Sequence, residues 1–256
     1  MSIQTELLKW ATEATLVFNK ISRLDPQTQY YQQSPLNRID DFVDNLIIGI
    51  NPGSFSPGVS DLTCEQFLAG NPHWENRFER LEEGSKISSD WNKFFGNAHY
   101  FLCQDYNYHS QDIDNDSKTV WTNLTPFATK SKNLLKDIHY TCAVPFTTRL
   151  IDILKPKFIY ILGSDIRRIL ETEYDICHIS ILQDKQSGRE IEIGTINKIP
   201  YIQLPHPSHN WGFSHFFIPT IVSIWRQLAE RNSLNTTATR IQEEMRQWMA
   251  RIKVLD

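Results

Sequence analysis

The sequence predicts an α/β protein, a three-layer α/β/α sandwich around a short, mainly four-stranded parallel sheet. Apolar runs typical of buried strands occur four times, each followed by turn residues, at 45–50, 119–124, 157–162 and 201–204. Segments with helical periodicity separate these runs, which favours parallel strands with helices on both faces. The carboxyl ends of parallel strands meet at one edge of a sheet, so the polar residues after them are expected to lie together.

The first half of the chain begins with a helix. Apolar residues near helical spacing predict an amphipathic helix over Thr5–Ile21, and the polar residues 25–38 predict a loop before the first central strand. After that strand, helical pieces are predicted at Cys64–Ala69 and Trp91–Phe95. Gln104–Ser117 is rich in Asp, Asn and Tyr and predicts a long exposed loop, a kind of segment that is often functional.

The second half alternates more regularly. Asn133–Leu154 predicts a helix that Pro145 interrupts, because proline removes a backbone donor. Asp165–Glu173 predicts a short helix after the third strand. Alternating apolar and polar residues over Ile191–Ile199 predict a peripheral hairpin arm. Two closing helices are predicted near Ser214–Arg231 and Thr237–Ile252.

Length and composition favour one domain over residues 1–256, with extra helical segments at about 1–40 and about 233–256, although two small domains would also fit. The net charge of −4 argues against broad electrostatic binding of nucleic acid but allows a local basic face. The first residues lack the basic-then-apolar order of a signal peptide, and no apolar run suits a membrane helix. We therefore expect a cytoplasmic protein with no membrane contact.

Two common nucleotide and hydrolase motifs are excluded. Gly53–Ser60 follows a strand and has the glycine spacing of a phosphate-binding P-loop, but Val59 stands in place of its lysine and Pro57 removes a backbone donor. The G-x-S-x-G motif of the α/β-hydrolases does not occur in the chain. A nucleoside triphosphatase and an α/β-hydrolase are thus both disfavoured.

Metal binding is also disfavoured. His206, His209 and His215 lie within ten positions, but the first two fall on a proline-containing loop with no carboxylate between them. The four cysteines form no C-x-x-C pair. We expect neither a metal nor an organic cofactor.

Three strand ends carry a more specific combination of residues. The first strand ends in Gly49–Gly53, with the sequence Gly-Ile-Asn-Pro-Gly; Asn123 ends the second; and His206–Ser208, with the sequence His-Pro-Ser, follows the fourth. Together these motifs resemble the uracil-DNA glycosylase superfamily, most closely its mismatch-specific and single-strand-selective monofunctional branches. The resemblance covers roughly Leu46–Arg226, and the terminal helices and the 104–117 loop lie outside it.

The resemblance implies a monomeric, monofunctional DNA glycosylase that flips uracil or a related altered pyrimidine out of single- or double-stranded DNA and hydrolyses its N-glycosidic bond. In this interpretation Asn51 positions the water and His206 donates to the pyrimidine O2 as negative charge develops. The implied base-binding residues are Phe55, Asn123, Ile50 and Gly49. The implied DNA-binding residues are Gly53, Ser54, Ser208, His209, Trp211 and Phe213. Of these, Trp211 or Phe213 would insert into the DNA duplex at the space left by the flipped base.

The chain departs from the family after Ser208, where His209 replaces the usual proline. This departure leaves two alternatives open: a non-catalytic module of the same fold that binds a nucleobase or DNA, and a glycosidase for free nucleosides or modified nucleotides. Each key residue also has an ordinary structural interpretation. Asn51 and Asn123 are common turn residues, Phe55 could belong to the core, and His206 could be a structural histidine.

Overall fold

The computed structural model describes residues 2–26, 28–53, 60–71, 101, 118–129, 132–183, 190–207 and 214–252. The helices are α1 (Ile3–Leu24), α2 (Cys64–Leu68), α3 (Asp137–Leu154), α4 (Ser164–Leu170), α5 (Ser214–Ala229) and α6 (Leu234–Ile252). The strands are β1 (Gln29–Tyr30), β2 (Asn45–Gly49), β3 (Thr119–Asn123), β4 (Phe127–Ala128), β5 (Phe158–Leu162), β6 (Ile176–Gln183), β7 (Glu190–Ile196) and β8 (Ile199–Leu204). Within these residues, no helix is both long and apolar enough to cross a membrane.

The central sheet has six strands in the order β3-β2-β5-β8-β7-β6. The first four run parallel, whereas β8, β7 and β6 form an antiparallel meander. The predicted α/β/α class and its four parallel strands are confirmed. The small strands β1 and β4 pair antiparallel outside this sheet.

The predicted hairpin exists, but it is not peripheral. Strands β7 and β8 are joined through Asn197 and Lys198, whose φ angles of 49° and 69° suit the tight turn of a two-residue hairpin. Strand β6, a segment to which the sequence assigned no element, pairs along the other edge of β7. Strand β7 therefore lies inside the sheet, which explains why four successive residues of it are buried.

Pro145 does not interrupt helix α3, which runs unbroken from Asp137 to Leu154. Pro145 itself is exposed, so its ring meets solvent instead of the core. Helix α1 packs along α3, and the indole N–H of Trp10 donates to the carbonyl of Phe146 at 2.8 Å. We infer that tertiary packing here outweighs the cost of the missing backbone donor. The predicted start at Asn133 lies in a separate 3₁₀ turn, Lys132–Leu134.

Two apolar layers cover the sheet. Helices α1, α2, α3 and α4 pack on one face together with Ile48 and Ile161, whereas α5 and α6 pack on the other with Ile47, Trp121 and Tyr160. Successive residues of a strand point to opposite faces. The alternation therefore directs Gly49 and Asn123, which are paired in register, toward the α5 face.

Candidate functional site

Strand pairing continues beyond the ends of β2 and β3 and brings two predicted motifs together. The amide of Leu124 donates to the carbonyl of Gly49 at 2.7 Å, and the amide of Thr125 donates to that of Ile50 at 3.0 Å. Further along, Thr129 N–H donates to Pro52 O at 3.3 Å. The turn that carries Asn51 is thus fixed along its length against the segment after β3.

The amide of Asn51 is held in one orientation. Its Nδ2 donates to the backbone carbonyl of Pro52 at 3.0 Å, to that of Phe127 at 3.5 Å and to Thr129 Oγ1 at 2.9 Å. Carbonyl oxygens only accept, so the NH₂ group must face them and Oδ1 must lie on the opposite side. No donor among the described residues contacts this oxygen, and the side chain is half-buried. Asn51 Oδ1 is therefore available to accept a hydrogen bond from water.

Asn123 lies across Gly49. A Cβ atom built on Gly49 would approach Asn123 Oδ1 to 2.6 Å, closer than such contacts occur in proteins. The other end of the amide, Nδ2, donates to Gln33 Oε1 at 3.5 Å. In the next residue along the chain, the carbonyl of Leu124 accepts from Thr147 Oγ1 at 3.0 Å. This hydrogen bond connects the end of β3 to helix α3. Glycine at position 49 thus gives the Asn123 side chain its place at the sheet edge.

His206 lies on the other side of β5, two residues after β8 ends. The amide of Gly163, the residue after β5, donates to Leu204 O at 2.8 Å, and a Cβ on Gly163 would lie 4.0 Å from His206 Cβ. Strands β2 and β8 both border β5. Two strand spacings place the backbone near Asn51 and that near His206 roughly 10 Å apart. Between them the sheet edge presents Gly163, which has no side chain.

A tyrosine secures the turn from outside. The hydroxyl of Tyr31 donates to the carbonyl of Gly53 at 2.8 Å, and its backbone amide donates to Pro126 O at 3.1 Å. Burial raises the pKa of the Tyr31 hydroxyl, so it remains a neutral donor at neutral pH.

At the same edge of the sheet, Lys132 forms an ion pair with Asp165, which lies at the beginning of α4. Positive charge near the site is therefore partly neutralised within the protein.

The described part of the predicted site comprises Gly49, Ile50, Asn51, Gly53, Asn123 and His206. Ile50 differs from the others, because its side chain is 7% exposed and packs in the core with α1 and α3. Any contact between Ile50 and a base would therefore have to come from its backbone. Phe55, Ser54, Ser208, His209, Trp211 and Phe213 lie outside the described residues, as do Trp91–Phe95 and the 104–117 loop.

Sequence reasoning missed Thr129, Tyr31 and Gln33, although each contacts a predicted site residue. Their partners are 78, 22 and 90 positions away along the chain. No local pattern marks such pairs, because the contacts arise only when the loops assemble at the sheet edge. The contribution of such residues to the site can be recognised only in the folded protein.

Comparison with protein-family models and with curated proteins finds no match for the chain. Among the described residues no group of three His, Cys, Asp or Glu side chains is arranged to hold a metal. The side chains of His209 and His215 lie outside those residues. The function therefore has to be inferred from the geometry around Asn51, Asn123 and His206.

Proposed function

We propose that the protein is a monofunctional DNA glycosylase that hydrolyses the N-glycosidic bond of uracil or a related altered pyrimidine after the base has been flipped out of DNA. The orientation of the Asn51 amide carries this proposal. Its NH₂ group is engaged by Pro52, Phe127 and Thr129, which leaves Oδ1 to accept from a water molecule. The proposed reaction uses no metal and no organic cofactor.

An asparagine cannot take a proton as a carboxylate can, so the departing base must be stabilised by other groups. In the transition state positive charge develops on the sugar and negative charge on the pyrimidine. His206, which follows β8 at the same sheet edge, is the proposed donor to the pyrimidine O2. A preorganised donor of this kind is commonly worth about 3–4 kcal/mol.

Asn123 is the proposed base-recognition residue. Its amide offers one acceptor and one donor, which together match N3–H and O4 of uracil. Cytosine presents the reverse arrangement, so the amide would be left mispaired against it. Phe55 is the proposed stacking partner of the flipped base.

DNA contacts are proposed for the turn after β2 and the loop after β8. Backbone amides near Gly53, Ser54 and Ser208 would bind phosphate, and Trp211 or Phe213 would fill the space that the flipped base leaves. His209 is a further proposed DNA contact. With a net charge of −4, contact with DNA is expected to be local. The proposed enzyme works as a monomer in the cytoplasm on single- or double-stranded DNA.

An excision assay tests this function. The purified protein is incubated with oligonucleotides that contain uracil, thymine mismatches or modified cytosines, single- and double-stranded, and alkali then breaks the chain at abasic sites. We expect breaks at uracil or at a related altered pyrimidine and none at normal cytosine. Breaks with none of these substrates would reject a glycosylase. In that case tight, salt-sensitive DNA binding would support the binding module, and cleavage of free nucleosides would support the nucleosidase.

A further inference from the structure

The side chain of Asn123 is restrained at both ends of its amide. Oδ1 lies against the bare backbone of Gly49, where a Cβ would be only 2.6 Å away. Nδ2 donates to Oε1 of Gln33, from the loop that precedes the first central strand. Gln33 is 6% exposed and Asn123 is half-buried, so this hydrogen bond is partly shielded from competing water.

Gln33 is itself firmly held. Its backbone carbonyl accepts from the amide of Asn71 at 3.2 Å. On either side of it, Gln32 Nε2 donates to Trp121 O at 2.9 Å and the amide of Ser34 donates to the same carbonyl at 3.1 Å. The loop is thus attached to the outer edge of β3, and these contacts fix the backbone position from which the Gln33 side chain reaches Asn123.

The orientation of an asparagine amide decides which pyrimidine edge it can pair with. In one orientation it accepts from N3–H and donates to O4, the pattern of uracil. Rotated by half a turn about χ2, it donates to N3 and accepts from the N4 amino group, the pattern of cytosine. The two orientations have nearly the same shape, so only hydrogen-bond partners distinguish them.

We propose that Gln33 is a specificity-determining residue: by accepting from Asn123 Nδ2 it prevents the half-turn of the amide that would admit cytosine. The inference rests on the proposed function, since it assigns Asn123 to base recognition. Gln33 does not touch the base and acts through Asn123, so it is a positioning residue. Gly49 contributes by leaving space for the Asn123 amide.

Single-turnover excision of uracil and of cytosine from matched oligonucleotides tests the proposal through the ratio of the two rates. Gln33→Leu removes the acceptor, and we expect the ratio to fall about tenfold, which is the size of effect expected from one lost hydrogen bond. Gln33→Glu keeps an acceptor oxygen and should keep the ratio. Gln33→Met gives the same comparison as leucine if Gln33→Leu does not fold.

Gln32→Leu is the matched control. Gln32 is also buried and also bonds to β3, but it contacts Trp121 and Thr122 and not Asn123. It should lose stability and keep the uracil-to-cytosine ratio. An unchanged ratio in Gln33→Leu, or an equal fall in Gln32→Leu, would overturn the proposal. The proposal would also be overturned if the uracil-to-cytosine ratio fell as far in Gln33→Glu as in Gln33→Leu.

A measurement on the free protein separates this proposal from the proposed function. In ¹⁵N NMR spectra the side-chain NH₂ of Asn123 should exchange slowly with solvent in the wild type and rapidly in Gln33→Leu. Slow exchange in a protein that excises no base would support the positioning role and reject only the glycosylase. Equally fast exchange in both proteins would overturn the positioning role, whatever the enzyme does.

Discussion

At the residue scale, the candidate site depends on two asparagines whose amide groups are held by different partners. Asn51 Nδ2 is surrounded by acceptors, two of them backbone carbonyls. Asn123 is held between Gln33 and Gly49. Fixing the amides before substrate arrives avoids the free-energy cost of ordering them during the reaction.

Thr129→Val tests the support of Asn51. The substitution keeps the shape of the side chain and removes the hydroxyl that accepts from Asn51 Nδ2 at 2.9 Å. We expect the single-turnover excision rate to fall about tenfold, because the amide loses one of its restraints. Thr129→Ser, which keeps the hydroxyl, should retain most of the rate.

Thr125→Val is the matched control for this experiment. Thr125 is fully buried, and its hydroxyl makes no hydrogen bond to any described residue. Its replacement should leave excision unchanged and raise the free energy of unfolding by about 1 kcal/mol. Equal loss of activity in Thr125→Val and Thr129→Val would show that Thr129 has no particular role.

Gly49→Ala tests the contact between β2 and Asn123. The new Cβ would lie 2.6 Å from Asn123 Oδ1, so the amide has to move. We expect a loss of about 1–3 kcal/mol in the free energy of unfolding, together with loss of uracil excision. In Gly53→Ala the Cβ meets nothing within 4 Å, so its chemical denaturation midpoint should match the wild type. A Gly49→Ala protein with wild-type excision would contradict the proposed position of Asn123.

The position of Gly49 and Asn51 at the end of a buried strand could be predicted from the sequence, because an apolar run that ends in Gly, Asn, Pro and Gly is a local pattern. The support of Asn51 by Thr129, and of Asn123 by Gln33, could not be predicted. These contacts join residues 78 and 90 positions apart, and neither threonine nor glutamine is distinctive in its own neighbourhood.

At the scale of elements, strand β4 links the site to the helical layer. Phe127 in β4 supplies one of the carbonyls that face Asn51, and its ring lies 4.7 Å from the ring of His139 in helix α3. His139 is fully buried, and its Nε2 lies 3.4 Å from Asp25 Oδ2 at the end of α1. A buried histidine therefore supports the segment that orients Asn51.

This histidine predicts acid sensitivity. Burial lowers the pKa of His139 from its ordinary 6.5, although Asp25 opposes the shift. Below about pH 6.5 the unfolded chain therefore binds more protons than the folded protein, so stability is complete above that pH and falls as pH decreases. Urea denaturation at pH 7.5 and pH 5.5 measures the difference. The pKa of Asp25 is lowered from 3.8, chiefly by Lys136, so its own contribution is lost only at more acidic pH.

His139→Gln should show a smaller loss of stability between these two pH values than the wild type, because glutamine does not titrate. Its stability at pH 7.5 is expected to be lower, since the ring contact with Phe127 is lost. If His139→Gln and the wild type lose the same free energy on acidification, His139 is not the group responsible.

Elements with a strong apolar pattern could be predicted from the sequence, as the four parallel strands and α1 show. The two-residue strand β4 is too short to have a pattern, and much of β6 is exposed on the sheet margin. Pro145 favoured a break that packing against α1 overrides. These differences come from tertiary contacts, which local propensity does not contain.

At the scale of the whole molecule, strand order arranges the site. Along the sheet edge the relevant residues lie at or just after the ends of β3, β2, β5 and β8, so that Asn123, Asn51, Gly163 and His206 occur in this spatial order. The parallel connections bring residues from distant parts of the chain to one edge, as in many α/β proteins. The sequence could predict this grouping, but the strand order, and hence the place of Gly163 between Asn51 and His206, required the fold.

The single-turnover rate of uracil excision by the wild type and by Asn51→Ala tests the proposed mechanism most directly. The alanine variant lacks the carbonyl oxygen that would hold the water. We expect the wild type to excise uracil and the variant to lose about a hundredfold or more of the rate while it still binds the oligonucleotide. Excision by Asn51→Ala at the wild-type rate would contradict the proposed role of Asn51.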